Sequence, residues 1–190
     1  CLDAGHGGKD NGSDYRLRYE KNDNLKITQA VAAYLADKEN IQVIMTRSDD
    51  TFLSLEERTS FANQNNADYF VSLHRNTGEG NGVETWIRSD ADDKTQALAK
   101  NIMDNLDAAG ISRNRGVKKG TQKSESKDYY VNLHTNMPAC IVELGFMNSP
   151  TDNQLFDANI DSYAKAIGDA VLKTYESYGK DGADAKESVE

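Results

Sequence analysis

Three short apolar runs in this 190-residue chain stop on a side chain that can bind a metal or move a proton. Cys1-Leu2-Asp3-Ala4 runs through Gly5 into His6, Tyr69 to Leu73 runs into His74, and Ala139 to Val142 runs into Glu143. Short apolar runs bounded by turn signals read as buried strands. Stretches of helical period lie between them, and that alternation specifies an α/β architecture with a mostly parallel sheet. Ligands in such sheets sit beyond the carboxyl ends of the strands, so the three side chains are expected to converge at one edge.

The remaining elements follow in order. Residues 7 to 18, rich in Gly, Asn and Asp, form a loop long enough to be functional. Apolar residues from Leu25 to Leu35 mark a helix over Asn24 to Lys38, capped by Asp23 or Asn24, with Glu20 just ahead of it. Ile41 to Thr46 reads as a buried strand, and Ser54 with Glu57 opens a second helix through a capping box. Further strands are expected at Asp68 to Leu73, Val83 to Ile87, Tyr129 to Leu133 and Ala139 to Leu144. Further helices are expected at Lys94 to Ala109, Thr151 to Asp157 and Ile160 to Tyr178. The basic segment Ser112 to Asp128 reads as an exposed loop with a short strand near Gly116 to Lys118, and Gly179 to Glu190 as a polar tail. The expected whole is one domain over residues 1 to 178, a twisted, mostly parallel sheet of about six strands with helices on both faces.

Charge narrows the partners. A formal net charge of −9 argues against nucleic acid and against an anionic membrane surface, both of which call for cationic neutralisation. No stretch is apolar enough for membrane insertion. The two cysteines, Cys1 and Cys140, are too few for a disulfide framework and bridge only if their strands are neighbours. The first residue is not methionine and already reads as strand, so a targeting segment is expected to lie outside this sequence.

His6 and His74 occupy matched positions, each following an apolar run. With Glu20 they make the two-histidine, one-glutamate set that catalytic zinc prefers, which leaves a coordination position for water. Glu143 stands inside Ile-Val-Glu-Leu-Gly-Phe, where a carboxylate is buried and unpaired unless it faces a cleft.

These residues resemble the successive motifs of zinc-dependent N-acetylmuramoyl-L-alanine amidases of the amidase-3 type. The motifs are Leu2 to Gly8, Glu20 with Asn24-Leu25, Ala67 to His74 with Asn76, Gly82 to Thr85, and Pro138 with Val142 to Asn148. The resemblance runs through nearly the whole chain in order. It implies one zinc ion held by His6, Glu20 and His74, with Glu143 as the catalytic acid and base. The implied reaction is hydrolysis of the amide between N-acetylmuramic acid and the L-alanine of the peptidoglycan stem peptide. It also implies action outside the cell, in the cell wall or periplasm. An acidic domain working on an anionic wall is expected to depend on a separate wall-binding module or a recruiting partner, and to act as a monomer.

Other residues have less defined roles. Arg75, where similar sequences carry a small residue, is expected either to face solvent or to reach a stem-peptide carboxylate. Asn76 is a candidate donor to the developing oxyanion, and Glu84 either orients a ligand or substrate or is the outward side chain of an alternating strand. Arg47 and Arg58 are expected in structural ion pairs, His134 in a loop or lining the cleft, and the basic run Arg113 to Lys127 in a solvated loop or at the positive lip of a groove for an anionic stem peptide. Two other readings stay open: a zinc peptidase acting within the stem peptide, although no closely spaced ligand pair is present, and an inactive peptidoglycan-binding module.

Overall fold

The computed structural model describes residues 1–122 and 126–179. Its strands are β1 (Leu2–Ala4), β2 (Asp14–Tyr15), β3 (Arg18–Tyr19), β4 (Phe70–Asn76), β5 (Val83–Ile87), β6 (Asn114–Lys119) and β7 (Ala139–Phe146). Its helices are α1 (Glu20–Ala36), α2 (Leu55–Gln64), α3 (Asp93–Ala108), α4 (Tyr130–His134), α5 (Pro150–Ala158) and α6 (Ile160–Tyr178). The main sheet has the order β1-β4-β7-β5-β6, and β2 pairs with β3 in a separate ribbon. β1, β4 and β7 run parallel, β5 is antiparallel to β7, and β6 is parallel to β5.

Side-chain alternation divides the sheet into two faces. Val71 and Leu73 of β4 and Cys140, Val142 and Leu144 of β7 pack into the larger core, with residues of α1, α3 and α6. Phe70, Trp86, Ala139 and Ile141 point the other way and pack with Ala62 of α2 and Val131 of α4. Helices therefore cover both faces, as expected of this α/β fold. The capping box that opens α2 is also present, with Ser54 and Glu57 bonded reciprocally.

The structure corrects several expected elements. The strand over Ile41 to Thr46 survives as a single bridge between Leu2 and Met45, with Leu2 N donating to Ile44 O and Thr46 N to Leu2 O. β1 is only three residues long, which limits the ladder. The expected strand at Tyr129 to Leu133 is the helix α4, in which Val131 is buried and Asn132 Nδ2 donates to Trp86 O. A run this short carries no decisive period, so its tertiary partners set its conformation. The loop expected over Ser112 to Asp128 contains a full edge strand, β6. α1 begins at Glu20 itself, and its N-cap Tyr19 makes no side-chain cap bond. Cys1 and Cys140 are free thiols: β4 lies between their strands. The polar tail expected beyond Gly179 lies outside the described residues.

Candidate metal centre

The site begins where β1 ends. A Cβ on Gly5 would overlap the imidazole of His74, so only glycine lets that ring lie against the chain. His6 follows with φ of 60°, in the left-handed region that a non-glycine residue occupies only when its surroundings hold it there. Two arginines do so. Arg58 donates from Nη1 to Ala4 O and from Nη2 to His6 O, and Arg47 donates from Nε to Ala4 O and from Nη2 to Gly5 O. Arg58 also makes a buried ion pair with Asp3 at 2.7 Å. The structural role expected of both arginines is met by Arg58 through Asp3, whereas Arg47 works chiefly through backbone carbonyls.

Glu20 enters as the first residue of α1. Its carboxylate accepts from Ser13 N at 2.8 Å and Arg75 N at 3.2 Å, and lies 2.9 Å from His74 Nδ1 and 3.3 Å from His6 Nε2. The two imidazoles meet edge to face with centroids 5.0 Å apart. Potential ligand atoms of His6, Glu20 and His74 all lie within 4.8 Å of one another. Asp10 Oδ2 sits 2.8 Å from His6 Nδ1, an arrangement that fixes the ring and leaves Nε2 toward the other two residues. Burial disfavours the His6 cation, but the hydrogen bonds and charges of Glu20 and Asp10 outweigh it and raise the pKa to about 9. Burial pushes Glu20 up as well, and here His6 and His74 prevail and hold the carboxyl far below its ordinary range. Two histidines and one carboxylate, compact and joined only by attractions that a cation would replace, fit zinc.

His74 and Glu143 are not at strand ends. β4 continues to Asn76 and β7 to Phe146, and the two residues are register partners on the face that α2 and α4 cover only in part. There they line a cleft of about 650 Å³ together with His6, Glu20 and Asn76. Glu143 Oε2 is buried and has no hydrogen-bond partner among the described residues. Burial is the main reason its pKa rises; the cations of His74 and His6 oppose the rise and the Glu20 and Glu84 charges add to it, giving about 7.

Across β5 and β7, Glu84 is the register partner of Glu143. It is 1% exposed, and its carboxylate accepts from Asn76 Nδ2, Trp86 Nε1, Gln122 Nε2 and Arg115 Nε. It is therefore a buried hub and not an outward side chain. The Asn76 amide is fixed by it, with Oδ1 accepting from Thr77 N.

The amino-acid pattern described as Amidase_3: N-acetylmuramoyl-L-alanine amidase matches residues 1–173. The chain belongs to this family. An uncharacterized Bacillus subtilis protein, YqiI, is 36% identical over 180 residues, 93% of this chain and 82% of that protein. The sporulation-specific N-acetylmuramoyl-L-alanine amidase of the same organism is 32% identical over 80% of this chain, which spans 57% of that relative's length. The crystal structure of an N-acetylmuramoyl-L-alanine amidase from Clostridium difficile 630 superposes with a TM-score of 0.85 at 34% identity, covering 94% of this chain and 96% of that one.

In this member of the amidase family Arg75 neither faces solvent nor enters the cleft. Strand alternation turns it to the opposite sheet face from His74, where it is 2% exposed. Its Nη1 pairs with Asp23 at 2.6 Å, its Nη2 donates to Asn153, and its guanidinium lies over Phe156. His134 ends α4 and stacks on Tyr130 at 4.0 Å, at the cleft wall and not in a loop. Sequence reading missed Asp10 and Asp23. Asp10 had a local signal, a carboxylate four residues after His6 in a glycine-rich turn, whereas Asp23 is paired to a residue 52 positions away.

Proposed function

We propose that this chain hydrolyses the amide between N-acetylmuramic acid and L-alanine in peptidoglycan, with one zinc ion held by His6, Glu20 and His74 and with Glu143 as acid and base. Zinc bound there supplies a Lewis acid for the scissile carbonyl and a lowered pKa for the attacking water. The chain's own residues do the rest. Asp10 holds the His6 ring so that Nε2 faces the metal position. Glu143 takes a proton from the water at its unpartnered oxygen and returns it to the departing amine nitrogen. A pKa near 7 suits both directions of that transfer. Asn76, oriented by Glu84, keeps one amide hydrogen for the oxygen on which charge develops.

The observation that carries this reading is the buried, unsatisfied Glu143 oxygen in the same cleft as the compact His6, Glu20 and His74 cluster. A buried carboxylate oxygen without a partner costs free energy, and it is retained here beside a site that needs a base. The net charge of −9 supports the further reading that a wall-binding module or recruiting partner brings the domain to an anionic wall, with action outside the cell.

Digestion of purified sacculi tests the proposal. The expected products are intact stem peptides with a new L-alanine amino terminus, formed only by zinc-loaded protein. Fragments cut within the stem would identify a peptidase, and binding without release would identify an inactive module.

A further inference from the structure

Arg115 is the second residue of β6, at the edge of the sheet that carries the site. Val83 of β5 is the register partner of both Asn114 and Leu144, and Glu84 that of Glu143, so the start of β6 lies one strand beyond the catalytic half of β7. Arg115 Nε donates to Glu84 at 2.7 Å, and its guanidinium lies over the Phe146 ring at 5.0 Å. These two contacts fix the plane of the fork. Its side chain stays 27% exposed, and Nη1 and Nη2 have no hydrogen-bond partner among the described residues. The result is a pre-oriented cation with two free donors, the geometry that binds a carboxylate in bidentate fashion.

We propose that Arg115 binds a carboxylate of the stem peptide, on the leaving-amine side of the scissile bond; this rests on the amidase reading above. Substrate chemistry sets the side. The lactyl carboxyl of the sugar is consumed in the scissile amide, so the carboxylates of a muramoyl peptide lie on its peptide. The cleft itself offers a contrasting wall, with Phe52, Leu55, Tyr130 and Leu133 as exposed apolar side chains. That wall suits the faces of the sugar, and Arg115 lies away from it.

Distance agrees. Cross-strand neighbours on one face are about 5 Å apart, so a guanidinium one ion pair beyond Glu84 lies roughly 10 Å from the Glu143 position. An extended peptide covers about 7 Å in two residues, which brings the α-carboxylate of the residue after L-alanine within reach of a long cation. Arg75, the other arginine considered for this role, has its guanidinium held on the opposite face by Asp23. In a chain of net charge −9, Arg115 sits in the basic segment Ser112 to Asp128, where an anionic peptide is attracted and not repelled.

The test uses two muramoyl tripeptides that differ only in whether the residue after L-alanine carries a free α-carboxylate or its carboxamide. Zinc-loaded wild-type protein is expected to show a KM about tenfold lower for the carboxylate, a factor that corresponds to one charge-assisted contact at a partly exposed site. Arg115→Met should bring the ratio close to one. Arg115→Lys, which keeps a cation beside Glu84 but loses the fork, should leave about threefold. A merely structural Arg115 would shift both substrates together, so an unchanged ratio in either variant overturns the proposal, as does a wild-type ratio near one. Should Arg115→Met fail to fold, the Arg115→Lys ratio decides. If wild-type protein releases stem peptide from neither substrate, the amidase reading itself falls, an outcome distinct from cleavage without preference.

Discussion

Glu84 and Glu143 are register partners on neighbouring antiparallel strands, and their carboxylates are treated in opposite ways. Glu84 receives four side-chain donors, whereas one oxygen of Glu143 receives none. The satisfied carboxylate holds its neighbours in place. An unsatisfied one is free to exchange a proton.

Replacing Glu143 by Gln should therefore separate metal from turnover. Zinc content should persist while stem-peptide release falls by roughly 10²–10⁴-fold, the usual contribution of a positioned general base. Retained specific activity in the folded protein would remove Glu143 from the mechanism.

The same substitution has a pH signature in the metal-free protein. Burial raises the folded pKa of Glu143 from 4.5 to about 7, so between those values the unfolded chain is ionised while the folded one holds its proton. The contribution of the protonated carboxyl to stability is complete below pH 4.5 and is lost as pH rises through 7. Relative to wild type, Glu143→Gln should gain stability across that window and level off above it. Urea denaturation at pH 5, 6 and 8 reads this directly, and a difference independent of pH would contradict it.

Metal removal should leave the fold intact. The three candidate ligands stand in the turn after β1, on β4 and in the first turn of α1, all packed by a core that contains no ligand. Sites of that kind do not nucleate the fold, unlike small metal-dependent domains. Circular dichroism after chelation should be native-like, and His74→Ala should lose zinc and activity together. A fully zinc-loaded His74→Ala protein would overturn the ligand assignment.

Asp10→Asn leaves the chain's packing alone but weakens the bond that orients His6. Loss of such a supporting partner typically costs 10–100-fold in metal affinity, so zinc affinity is expected to drop by about that factor. Competition with a chromogenic chelator measures it, and unchanged affinity would show that Asp10 does not position the ring.

Arg58 joins stability to the site. Its ion pair with Asp3 is buried on both sides, and the same guanidinium holds the carbonyl of His6. Arg58→Met should cost about 3–5 kcal/mol by leaving Asp3 uncompensated. Asp3→Asn in the same background should recover part of that loss, since the unpaired charge is then gone. Denaturant midpoints of the three proteins decide whether the pair behaves this way.

The amino-acid sequence by itself determined the α/β class, the helices α2, α3 and α6, and the identity of the four residues proposed for chemistry. Each of these rests on local information: apolar period, a capping box, a histidine or glutamate that ends or interrupts an apolar run and, for Glu20, a place just ahead of a helix. Tertiary structure alone decided where side chains point and what they meet. His74 and Arg75 are adjacent in sequence, yet the pleat sends one to the open cleft and the other to Asp23 on the far face. The run at Tyr129 to Leu133 became a helix because α2 and Trp86 set its surroundings. Glu84 became a hub because Arg115 and Gln122, 31 and 38 positions away, reach it beside the nearer Asn76 and Trp86. Local periodicity reports the conformation a segment prefers, whereas the partners that satisfy a buried charge come from distant parts of the chain and exist only once the sheet has assembled.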